Sequence, residues 1–166
     1  MKRACFVTLL PLLLGSVAAQ LVAQSRTPVT TTIARSIRRL DPTWRYIPGW
    51  CTCPPTVSGQ VWRDNGTWER TDKHDRREFV DVEIVKAAST QEAADWMRQY
   101  GGGSGSSSCL VERHQLGDEA YLFKCPRSYK SILNYRKGRF LVRVNGDSQT
   151  IVERFAKYTV TRLPAS

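Results

Sequence analysis

Few residues of this 166-residue chain have types and spacings that could do chemistry, and its two histidines come first. His74 stands beside Asp75 in a densely charged stretch, and His114 follows Arg113 in a run that reads as a strand. Two histidines with cations nearby could cleave RNA, one taking a proton and the other giving one. Nothing in their spacing brings them together. The plain reading makes His74 a solvated loop residue and His114 one side of a strand. A serine hydrolase elbow is missing, because Gly103-Ser104-Gly105 lacks the Gly-x-Ser-x-Gly spacing and sits in a Gly/Ser run. That run, Gly101 to Ser108, has no lysine and precedes a strand, so it reads as a connector and not a phosphate cradle. Carboxylates are plentiful (Asp64, Glu69, Asp72, Asp75, Asp118, Glu119), yet no spacing singles out a pair for glycoside hydrolysis. No catalytic residue is assigned, and no cofactor is expected.

Cysteines give a firmer signal. Beyond Cys5 there are four, Cys51, Cys53, Cys109 and Cys125, and an even count in an exported domain argues for disulfides. Cys109 and Cys125 lie eight residues either side of Gly117, so a hairpin turning there sets them opposite each other. A bond between Cys51 and Cys53 would close a tight, strained ring. Two bridges joining the Cys51/Cys53 loop to the 110–125 hairpin are therefore expected. Zinc is not, because no Cys-x-x-Cys pair is present.

Four of the five tryptophans fall between residues 44 and 68, interleaved with arginines. Trp44, Arg45, Trp50, Trp62, Arg63 and Trp68 form the candidate binding set. Aromatic faces beside guanidinium groups suit stacking on sugars or bases. Trp also buries more area than most side chains, so core packing competes with that reading at each position.

The elements that must position these residues can be read from periodicity. Met1 to Ala19 has a Lys2-Arg3 start, an apolar run from Phe6 to Leu14 and a small-residue Val17-Ala18-Ala19 end, the form of a secretory signal peptide. Residues 20–32 are polar and Thr-rich, a flexible lead-in. Ile33, Ile37 and Leu40 then recur at helical spacing with Arg35, Arg38 and Arg39 on the other side. That basic amphipathic helix could lie on a membrane, but at barely two turns it is expected to pack on its own sheet. Asn65-Gly66, between Asp64 and Thr67, reads as a type I′ hairpin turn, setting Arg63 opposite Trp68 and Trp62 opposite Glu69. Asn65-Gly66-Thr67 is also a glycosylation sequon. Val80, Val82 and Ile84 alternate as one face of a strand. Ser89 and Glu92 form a capping box for a helix with Ala93, Trp96, Met97 and Tyr100 on one face. From Leu110 to Asn145 come consecutive strands broken at Gly117, at Pro126-Arg127-Ser128 and at Lys137-Gly138. Asp147 or Ser148 then caps a last helix with Ile151, Val152, Phe155, Thr159 and Leu163 inward. The order predicts an α+β fold in one domain over 33–166: an antiparallel sheet of five to seven strands with two or three helices packed on one face.

Thr90-Gln91-Glu92-Ala93-Ala94 after a strand, Leu116-Gly117-Asp118-Glu119-Ala120-Tyr121, and Tyr135 to Val144 before a terminal helix together carry a resemblance. Residues 78–163 resemble small exported bacterial domains of the PsbP-like α+β type. The resemblance implies a non-enzymatic accessory or binding domain outside the cytoplasm. Without Lys2 and Arg3 the net charge of +10 becomes +8, which favours anionic partners, although dispersed charge also serves solubility. The expected function is that of an exported non-catalytic binding or accessory protein, secreted to a periplasmic or extracellular compartment with no transmembrane anchor. Its expected partners are an anionic polysaccharide, a nucleic acid or an envelope protein. The alternative is a small secreted hydrolase acting on a polyanion such as RNA through His74 and His114.

Overall fold

A computed structural model describes residues 29–49, 60–101, 109–125 and 130–164 of the protein. The stretch read as a signal peptide, and Trp50, Cys51 and Cys53, lie outside the described residues. Seven strands form one antiparallel sheet: β1 (Arg45–Pro48), β2 (Gln60–Thr71), β3 (Arg77–Ala87), β4 (Leu110–His114), β5 (Glu119–Cys125), β6 (Lys130–Lys137) and β7 (Phe140–Gly146). Their spatial order is β1-β2-β3-β7-β6-β5-β4. Three helices accompany them: α1 (Val29–Leu40), α2 (Thr90–Trp96), which runs into a π turn at Met97–Gly101, and α3 (Gln149–Val160). The α+β expectation holds.

Local chemistry accounts for the β4–β7 meander. Gly117 and Gly138 take left-handed φ of 62° and 56° at the two tight turns, where a Cβ would strain the backbone. Asp118 Oδ2 links those turns by accepting from the Gly138 amide at 2.8 Å and from Arg136 Nη1 at 2.9 Å. Phe140, Val142 and Val144 point to one face and are buried, together with Leu133, Tyr135, Ala120 and Leu122 of the neighbouring strands. Helices α1 and α3 cover that face through Ile33, Ile37, Ile151, Val152 and Phe155. By strand alternation Val85, Ala87 and Phe123 point the other way. They are buried with Ala93 and Met97, where α2 and the π turn close one corner of the opposite face.

Both helix caps form. Ser89 Oγ accepts from the Glu92 amide at 3.0 Å, and the Glu92 carboxylate reaches back to the Ala88 amide at 3.1 Å. Of the two candidates for α3, Ser148 caps, its Oγ accepting from Ile151 N. Asp147 instead takes the Phe79 amide at 2.6 Å and ties β3 to the sheet's end.

Three expectations are corrected. The hairpin turn at Asn65-Gly66 is absent, because β2 runs unbroken through it and pairs with β3 residue for residue from Trp62 to Thr71. The turn falls at Asp72–Arg76 instead. There Asp72 Oδ1 accepts from the His74 and Arg76 amides and Oδ2 from the Arg76 guanidinium. These bonds hold the Asp72 carboxyl down at about 2, the Arg76 amide contributing most. Gly66 supplies space and not a turn: a Cβ there would sit 2.5 Å from Tyr46 Cε2. Second, α1 begins at Val29, four residues before the expected helical pattern, because Thr30 bonds the buried Asp64 carboxylate. Third, Leu40 is 60% exposed at the end of α1 and no part of its buried stripe.

Candidate functional site

The described members of the tryptophan–arginine set do not assemble into an open surface. Trp44 and Trp68 are 4% and 1% exposed, with Phe155 edge-on to both at 5.0 and 5.4 Å. Trp62 packs against the same core, edge-on to Phe140. The cation–π pairing is real but internal: the Arg70 guanidinium lies 4.5 Å over the Trp44 ring and bonds Asp41 and Glu78 on either side. Arg45 is bound to Glu69 across the β1–β2 pair, and Arg63 to Glu83 at 2.7 Å. Burial satisfies the large apolar area of these rings, so Trp44 and Trp68 leave the candidate binding set.

The histidines are held apart. His74 lies in the β2–β3 turn, whereas β4, which ends with His114, is four strand spacings from β3. That alone separates them by about 19 Å. His114 Nε2 meets Glu153 Oε1 of α3 at 3.3 Å, and its Nδ1 is buried without a partner. Through that contact His114 ties the edge strand to the helix. In the sequon, Asn65 Oδ1 is buried against Gly49, where any Cβ would meet it at 1.7 Å.

Cys109 is bonded to Cys125, their Cα atoms 4.2 Å apart, and neither joins the Cys51/Cys53 loop. The cross-strand placement is as the spacing about Gly117 predicts, and the assignment of bridges between that loop and the hairpin is overturned. The register explains it, since Leu110 pairs with Lys124 and the next pair outward is Cys109 with Cys125. Among the described residues, no group of three or more His, Cys, Asp or Glu could hold a metal ion.

What the fold does assemble is a basic helical layer. Helix α1 has no acidic residue, and its Arg35, Arg38 and Arg39 are exposed. None of the three makes an ion pair among the described residues. Arg162, just past α3, donates to Ser36 Oγ at 2.7 Å, and the charge of Arg154 is felt at Asp41. These two links set α3 antiparallel beside α1, adding exposed Arg154 and Lys157 to the same layer. Against these cations stands Glu153, turned toward His114 and Gln149. Asp41, at the end of α1, is already engaged: burial opposes its ionisation, but Thr43, Arg70 and Arg154 together hold its carboxyl below the usual range. Arg38 and Arg39 also complement the α1 dipole, which accounts for two of the charges but not for the whole layer. The apolar side of α1, Ile33 and Ile37, is spent on the sheet, leaving no amphipathic face for a membrane. Among the described residues no helix is long and apolar enough to cross one.

Compared with known protein families, curated proteins and solved structures, the chain has no match in any of the three.

Proposed function

We propose that the protein is an exported, non-catalytic binding domain whose α1–α3 layer contacts an anionic polymer. The carrying observation is the run of cations Arg35, Arg38, Arg39, Arg154 and Lys157 on two adjacent helices, with α1 free of acids. Like-charged groups gathered on one face repel each other at a small cost to folding, and a polyanion releases that cost while shedding its own counterions. Tyr158 of α3 is half-buried beneath the Arg162 guanidinium, so it offers this layer no open stacking platform for bases. Recognition is then of charge along a backbone, which suits an anionic polysaccharide better than sequence-specific nucleic acid. The resemblance to PsbP-like accessory domains and the Cys109–Cys125 bond agree with a binding role outside the cytoplasm. Retention of the purified protein on immobilised heparin at low salt, with release as salt rises, tests the reading. Flow-through at low salt would reject it.

A further inference from the structure

On the sheet face turned away from α1 and α3, polar residues of β2, β3 and β7 fall into two cross-strand rows. Asn65, Glu83 and Arg143 form one row, and Thr67, Asp81 and Asn145 the next. Together with Ile47, Pro48 and Gly49 at the end of β1 they line a hollow of about 280 Å3. Small-molecule sites run upward from about 300 Å3, so this one fits a single ring and its substituents.

The charges nearly cancel, and the hydrogen-bonding capacity is mixed. The Arg143 side chain is exposed and makes no hydrogen bond or ion pair among the described residues, so its guanidinium can donate to a ligand. Asp81 is exposed, with Oδ1 accepting from Thr67 Oγ1 at 2.7 Å and Oδ2 making no bond among the described residues. Glu83 is occupied by Arg63. Asn65 and Asn145 each bury an Oδ1 that has no partner among the described residues. Their carboxamides therefore present the NH2 end to the hollow, and a flip that presents the oxygen instead breaks no existing bond. Ile47 and Pro48 add an apolar wall. A site whose groups both donate and accept, beside an apolar wall and with its charges nearly balanced, complements hydroxyls on a carbon ring. A polyanion would meet Asp81 and Glu83, and a simple cation would meet Arg143.

We propose that this hollow binds one ring of a neutral saccharide, at a site separate from the basic helical layer on the other side of the sheet. The Asn65 and Asn145 side-chain amides would report it directly in a nitrogen–proton NMR titration of the purified protein. Chitotriose and maltotriose serve as neutral probes and putrescine as a cationic one. Saturating shifts of both amides are expected with at least one trisaccharide, at a Kd of roughly millimolar order. Arg143→Ala, an exposed substitution that leaves the fold intact, should weaken that binding about tenfold. Arg38→Ala, on the helical layer, should leave it unchanged. Saturation by putrescine alone, no saturation by either trisaccharide, or saccharide binding indifferent to Arg143→Ala would overturn the proposal. None of these outcomes bears on heparin retention, so the two sites stand or fall separately.

Discussion

Asp64, in the middle of β2, caps the start of α1 by holding Thr30 twice. Its Oδ2 accepts from the Thr30 amide and its Oδ1 from the Thr30 hydroxyl, both at 2.9 Å, and the carboxylate is 4% exposed. The single Thr30 hydroxyl proton is thus used, so Tyr46 donates its own to Thr30 Oγ1 at 2.9 Å. A strand, a helix and the edge strand β1 meet in this one chain of bonds. Removing one partner strands a buried donor in the first turn. Asp64→Ala is expected to cost about 2–4 kcal/mol in urea unfolding, and Asp64→Asn, which can accept with one oxygen only, a smaller amount. An unchanged midpoint for Asp64→Ala would show that α1 does not depend on this cap.

Gly66 separates the strand from the turn. In a type I′ turn it would take a positive φ, and alanine there would be strained by backbone alone. In β2 the obstacle is the Tyr46 ring, itself held by Thr30. Gly66→Ala is expected to lose about 1–3 kcal/mol, with much of that loss recovered when Tyr46→Leu makes room. Equal losses with and without Tyr46 would favour the turn.

The His114–Glu153 contact carries a pH dependence. Glu153 titrates below its ordinary value of 4.5, chiefly because the Gln149 carboxamide donates to it; burial works against this, and His114 and Lys157 add to the lowering. The folded value lies below the unfolded one, so this stabilisation is present above about pH 4.5 and drains as pH falls through the folded value. Urea midpoints of the wild type should therefore fall below pH 4.5 faster than those of Glu153→Gln. Parallel curves for the two proteins would remove Glu153 from the account.

The Cys109–Cys125 bond closes a separation of 16 residues. A loop of that length implies roughly 3 kcal/mol from restriction of the unfolded chain. Cys109→Ser with Cys125→Ser should lower the urea midpoint accordingly while leaving the β4–β5 pairing in place. Should the double variant lose the cross-strand contacts of that hairpin by NMR, the bond would be a requirement for the pairing and not a staple on it.

Much of the C-terminal half was legible in the sequence because its signals are local. Gly117, Lys137-Gly138, Ser89 with Glu92, and the alternation Phe140, Val142, Val144 each act within a few residues, and all stand in the structure as read. The N-terminal half was misread where a local signal met a distant partner. Asn65-Gly66 has the strongest short-range turn chemistry in the chain, yet the pairing of β2 with both β1 and β3 overrides it. Composition alone left the tryptophans able to point outward or inward until Phe155, over 80 residues on, claimed Trp44 and Trp68 for the core. The basic layer needed α3 beside α1, and their link runs from Ser36 to Arg162. Only the acid-free composition of α1 hinted at it. The Asn65–Asn145 hollow draws two or three residues from each of four strands and leaves no mark in any single segment.

The basic layer itself is tested most directly by moving charge, not removing it. Arg35→Glu, Arg38→Glu and Arg39→Glu together reverse the α1 side of the layer. Lys73→Glu, Arg113→Glu and Lys130→Glu change net charge by the same amount at exposed positions elsewhere. Heparin affinity should be measured for both triples and the wild type across a range of salt. The account predicts that the α1 triple loses binding at low salt, or keeps a log–log salt slope shallower by about 3, while the other triple keeps the wild-type slope. Equal loss in the two triples would mean that heparin answers to net charge alone, and the assignment of the partner surface to α1 and α3 would be contradicted.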